Sequence, residues 1–123
     1  MTIQELYDQI GGNYEHAQQI MKMDKMISKY LLKLTDSGVC ENLRKAADDM
    51  DATALFESAH AMKGVCANLG LDDLAEAVGD ITEEFRPGAD RKLSDDEVKA
   101  KLDEVFALYD KTAAGISEYK ATI

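Results

Sequence analysis

The sequence predicts an all-α protein, an antiparallel up-and-down four-helix bundle with a short N-terminal helical cap, as one domain over residues 1–123. Three observations carry that expectation. Apolar residues recur at alternating spacings of three and four along most of the chain, which lines one face of a helix. Stop signals at Gly11-Gly12, Gly70 and Pro87-Gly88 divide the pattern into segments. No alternating apolar–polar run of strand length occurs, and no Asn-Gly or Asp-Gly hairpin turn.

The segments follow in order. Residues 2–10 read as a short helix ended by Gly11-Gly12, and 13–20 as a further turn or short helix; together, 2–20 form the cap. The bundle then spans 22–119. In 22–50, Met23, Ile27, Tyr30 and Leu34 make one stripe, and Val39, Leu43, Ala46 and Met50 another. At ~100° per residue the second is turned by roughly a third of a circle from the first. Ser37-Gly38 lies at the change, so the segment is either one kinked helix or two.

Leu55, Ala59, Met62, Cys66 and Leu69 define the next helix, with Asp51 as its N-cap and Gly70 as its stop. Leu71, Leu74, Val78, Ile81 and Phe85 define a third, with Asp72 and Asp73 in the first turn, where the helix dipole favours negative charge. Residues 88–93 are a polar loop. Ser94-Asp95-Asp96-Glu97 then has the pattern of a capping box. Val98, Leu102, Val105, Tyr109, Thr112 and Ile116 extend the last helix to about residue 119, on the order of 37 Å.

Composition removes several function classes. The net charge is −10 and is spread along the chain, so no basic patch offers itself to nucleic acid or to an anionic membrane. No stretch approaches the ~18 apolar residues of a transmembrane helix, and the N-terminus lacks the regions of a signal peptide. Cys40 and Cys66 have no ligand spacing, which fits two free thiols in a reducing cytoplasm while leaving a disulfide open. The methionines at 21, 23, 26, 50 and 62 read as core residues rather than a ligand box, and His16 as a surface or helix-end residue.

One stripe stands apart. Phe56, His60, Lys63, Gly64 and Ala67 flank the core face of the second bundle helix and point toward water. An imidazole, a lysine at i+3 and a mid-helix glycine at i+4 share it. The glycine costs about 1 kcal/mol of helix stability relative to alanine, which suggests that something approaches the backbone there.

Ala59-His60-Ala61-Met62-Lys63-Gly64 followed by Asn68-Leu69-Gly70 resembles the motif of histidine-containing phosphotransfer (HPt) domains, the phosphoryl carriers of two-component phosphorelays. Tyr30-Leu31-Leu32, Leu43 to Ala46, Asp51, and Leu74 through Phe85 to the Arg86-Pro87-Gly88 stop extend the likeness over about residues 20–90. Met62 stands where the family usually has Leu, a volume-conserving change, and Val65 where many relatives have a small hydroxyl residue.

The resemblance implies that His60 Nε2 carries the phosphoryl group and that Lys63 offsets its charge. It also implies that Phe56, Gly64 and Ala67 meet the partner. That partner would be the receiver domain of a response regulator, which brings the Mg²⁺, or a hybrid sensor histidine kinase. The chain itself would bind no cofactor and would act as a cytoplasmic carrier, not a stand-alone catalyst. Two alternatives compete with this reading. A non-phosphorylated adaptor could keep the receiver-binding surface. A metal-binding bundle could use Glu57-x-x-His60, although such bundles need two of these elements and His16 has Asn13, not Glu, three residues before it.

Overall fold

The computed structural model describes residues 1–123 and is all-helical. Seven helices follow one another: α1 (Ile3–Ile10), α2 (Tyr14–Met21), α3 (Asp24–Asp36), α4 (Val39–Asp49), α5 (Ala52–Asn68), α6 (Asp72–Glu84) and α7 (Asp95–Ala121). Their apolar stripes meet in one core that runs from Ile3 to Tyr119. All the stripe residues expected of α5, α6 and α7 are buried in it, Thr112 included, whose hydroxyl donates to the Leu108 carbonyl at 2.9 Å. α4 packs on α5, α5 on α6 and α6 on α7, while α7 also touches α4.

The segment 22–50 is two helices. Gly38 takes φ +73° between α3 and α4, a left-handed conformation that glycine adopts without strain. The reorientation gives each stripe its own surface: α3 packs against α2 and α7, and α4 against α5 and α7. Met23 departs from the expected core. It is the N-cap of α3 and stands 56% exposed, because the chain has not yet entered the helix that buries Ile27 and Leu34. Of the other methionines, Met62 is fully buried, and Met21 and Met50 pack half-buried against the core.

The helix ends follow local chemistry. Asp51 accepts from the Ala54 amide at 3.2 Å and opens α5. The Ser94–Glu97 capping box is reciprocal, with Ser94 Oγ accepting from the Glu97 amide and Glu97 Oε1 from the Ser94 amide, both at 3.1 Å. α6 ends at Glu84, two residues short of the Pro87-Gly88 signal, in keeping with the extended preference of a residue before proline.

The N-terminal helices clasp the turn between α5 and α6. Buried Tyr7 donates its hydroxyl to the Leu69 carbonyl at 2.6 Å, and the Asn13 amide donates to the Gly70 carbonyl at 2.7 Å. Gly70 has φ +65°, and a Cβ there would run into the Asn13 backbone oxygen. His16 belongs to the same clasp: its Nδ1 lies 2.8 Å from Asp72 Oδ1, and Asn13 Nδ2 donates to Asp72 Oδ2 at 3.1 Å. The end of α5 is thereby fixed about 12 Å along the axis from His60.

Candidate functional site

The site is built on the middle turns of α5 and the last turns of α6, the most extensively packed pair of helices in the chain. Leu55, Ala59, Met62 and Cys66 are fully buried and set the rotation of α5 about its axis. Burial pushes the Cys66 thiol up to about 12 and the Cys40 thiol to about 11, so both are unreactive packing groups. With that face anchored, the adjoining one must look outward. His60 and Gly64 on it are exposed, and Phe56, Lys63 and Ala67 are half-buried along its edge.

Two contacts hold the side chains of this face. The Phe56 ring stacks on His60, with centroids 5.5 Å apart and planes 14° from parallel. The Lys63 stem leans across to α6, where it runs along Gly79: a Cβ built at Gly79 would stand 3.5 Å from Lys63 Cε and 3.8 Å from its Nζ. Gly79 is buried, so the lysine is its lid. Lys63 takes part in none of the six ion pairs of the protein, so its ammonium is free to meet an incoming anion. A Cβ at Gly64 would touch nothing within 4 Å, so this part of the face is open.

Arg86, just beyond α6, completes the surroundings. Its guanidinium lies 5.4 Å from the Phe56 ring centroid and donates to both carboxylate oxygens of Glu83, at 2.8 and 3.0 Å. Those hydrogen bonds do most to hold the Glu83 carboxyl below the ordinary range, and the nearby charges of Arg86, Lys63 and a protonated His60 pull the same way.

The expected stripe is therefore one continuous face, and three further residues belong beside it. Arg86 and Glu83 read in the sequence only as a helix end. Gly79 carries the same signal as Gly64, a glycine inside a helix, and that signal is open to sequence reading. The metal alternative fares badly on geometry. Glu57 and His60 are both exposed, not turned into the bundle, and no cluster of three or more His, Cys, Asp or Glu residues is placed to hold an ion.

No helix is long and apolar enough to cross a membrane. No curated protein matches the chain, and no solved structure does. A family model does match: that of the Hpt domain, over residues 35–110. The match begins later than the expected likeness and runs further, from the end of α3 through α4, α5 and α6 into the middle of α7. It contains the whole exposed face and its α6 neighbours, and it covers more than half of the sequence. The chain belongs to the Hpt domain family, the phosphotransfer modules of two-component phosphorelays.

Proposed function

We propose that His60 is the phosphoacceptor of this Hpt domain and that it exchanges its phosphoryl group with the aspartate of a response-regulator receiver domain. The observation that carries the reading is an exposed imidazole in mid-helix, stacked on Phe56, with the uncovered Gly64 one turn away. Imidazole titrates near ~6.5 in water, so near neutral pH a histidine can offer an uncharged nitrogen nucleophile.

The transfer balances without a proton leaving. The Nε2 lone pair forms the N–P bond, and the aspartyl O–P bond breaks with its electron pair remaining on the carboxylate. The Nδ1 proton stays on the ring. The receiver's Mg²⁺ supplies charge neutralisation on its own side. Lys63 supplies a charge-assisted hydrogen bond on this side. Phe56, Gly64 and Ala67 form the partner-contact surface, and a hybrid sensor kinase stands upstream or downstream through its own receiver.

The bundle's finer architecture is part of the same proposal. The first bundle element, expected over 22–50, is α3 followed by α4; with it, α5, α6 and α7 would run up and down in turn around the core, with α1 and α2 as the cap. The ring of pairwise contacts and the brief links between α4, α5 and α6 support it. Two buried free thiols suit a cytoplasmic setting.

The test is to incubate the protein with phosphorylated receiver domains of the source organism and examine the label. Acid lability and base stability are expected of a phosphoramidate. His60→Gln should fold normally, because the side chain is exposed, and should take no label. Undiminished labelling of that variant refutes the assignment.

A further inference from the structure

Arg86 is the one guanidinium next to the Phe56–His60 stack, and it is already occupied. Glu83 holds it through two hydrogen bonds, at 2.8 and 3.0 Å, so the pair presents little net charge to the site. Lys63 is left as the free cation. Glu83 also shares a face of α6 with Gly79, four residues earlier, along which the Lys63 stem lies. One carboxylate thus stands beside both cations of the site. Both partners of the Glu83–Arg86 pair are exposed, with side-chain accessibilities of 59% and 43%, which makes the pair weak and exchangeable.

A phosphoryl group on His60 brings nearly two negative charges to this face. It would compete with Glu83 for Arg86 and be repelled by the carboxylate it displaces. We infer that Glu83 is a positioning residue that sets the transfer equilibrium: by holding Arg86 away from the phosphohistidine, it keeps the phosphoryl group ready to leave. The covalent step is unchanged, with N–P formed as aspartyl O–P breaks, or the reverse. Only the relative free energy of the two phosphorylated states moves. The inference rests on His60 as acceptor and adds to that reading the residue that tunes it.

The experiment uses the full chain and a receiver domain that exchanges phosphoryl groups with it. The phosphohistidine fraction at equilibrium is measured for the wild type, Glu83→Gln, Arg86→Ala and the double variant. Phosphoramidate labelling of His60→Gln runs alongside. Glu83→Gln should raise the fraction bound to His60, shifting the equilibrium about threefold, and the shift should shrink at 1 M salt, where screening reaches ~3 Å. In the Arg86→Ala background the same substitution should have a smaller effect, because there is no guanidinium to release. Melting temperature should barely move in either single variant.

A structural role for Glu83 predicts the opposite direction, since damage to the site lowers phosphohistidine. An unchanged or lower fraction in Glu83→Gln, with His60 labelled normally in the wild type, overturns the inference alone. An equal shift in both backgrounds overturns the holding of Arg86. Labelling that persists in His60→Gln removes the acceptor assignment and the inference with it.

Discussion

The Phe56 ring lies almost parallel to the His60 imidazole, centroids 5.5 Å apart and planes at 14°, one helical turn before it on α5. Nothing else on that exposed face is placed to restrict the histidine in this way: Gly64, one turn beyond, has no side chain, and the Lys63 stem leans away over Gly79. Phe56 is itself half-buried and packs against the core, so the aromatic ring links the core to a side chain that stands in water.

Phe56→Leu should therefore slow transfer while sparing the fold. A stacked pair contributes about 0.5–1.5 kcal/mol beyond its buried area, which corresponds to a loss of roughly fivefold if the stack orients the nucleophile. Phe56→Tyr keeps the ring and should transfer at the wild-type rate. Rapid-quench measurement of phosphoryl exchange with a receiver decides between them. A Leu variant as fast as the wild type would reduce the stack to surface packing.

Lys63 covers Gly79 and, in the proposed reading, also meets the phosphoryl group; one substitution can separate the two. Lys63→Met keeps a flexible apolar stem over Gly79 and removes the charge. The proposed contact of the lysine with a phosphoryl group would be partly screened by solvent, so about 1 kcal/mol, or roughly fivefold, should be lost from transfer. Lys63→Ala should lose the same amount of transfer and also uncover Gly79. Melting curves on the two variants, alongside their transfer rates, test both jobs. Equal transfer rates for Lys63→Met and the wild type are the result this account does not allow, so that variant is the one to make first.

Much of the fold and of the site is legible in the sequence, for physical reasons. α5, α6 and α7 each bury one stripe against the others, and a single-sided stripe is what a 3.6-residue period records. Every residue of those stripes is buried. The His60 face is legible as the neighbour of a strong stripe. Met23 breaks the pattern because periodicity cannot tell a helical residue from the cap that precedes it. Glu83 and Arg86 escape sequence reading because they reach the site across a helix–helix contact; Gly79 is visible as a mid-helix glycine, but the Lys63 stem that covers it is not. Spacing within one helix carries no information about which residue of another lies opposite. The clasp of His16 and Asn13 on Asp72 is hidden in the same way, by 56 and 59 residues of sequence separation.

Glu84 makes stability depend on acid. Burial pushes its carboxyl up, but the hydrogen bond from Arg91 at 2.6 Å and those from the Lys92 and Leu93 amides outweigh it, leaving its pKa below the ordinary 4.5. A depressed folded value means its contribution is full above the ordinary range and disappears as the pH falls through the folded value. The wild type should therefore melt at progressively lower temperature below about pH 4.5. Glu84→Gln, which leaves Arg91 without its buried partner, should be less stable by about 2 kcal/mol at pH 7. It should also lose part of that acid dependence. Melting temperatures of both proteins from pH 3 to pH 7 test this. Parallel curves would assign the acid sensitivity to other carboxylates.

The mid-helix glycines give the sharpest contrast, because the same substitution should have opposite signs at different positions. Each gains about 1 kcal/mol of helix propensity on becoming alanine. At Gly64 the new methyl meets nothing, and at Gly79 it makes ordinary contact with the Lys63 stem, so both variants should melt higher. At Gly115 the methyl would stand 3.2 Å from Leu6 Cδ1 and run into Ile10, where α1 crosses α7. Overpacking of that kind costs about 1–3 kcal/mol, so Gly115→Ala should melt lower. Gly64 then separates stability from function. Gly64→Gln should fold, since the position is open, but its side chain would stand one turn from His60, where the receiver's loops must approach for in-line transfer. Transfer from a receiver should fall well below that of the wild type, and labelling by phosphoramidate, a much smaller donor, should fall less. If the glutamine variant melts far below the wild type while its folded fraction accepts from the receiver normally, Gly64 serves packing and the open face is not where the partner docks.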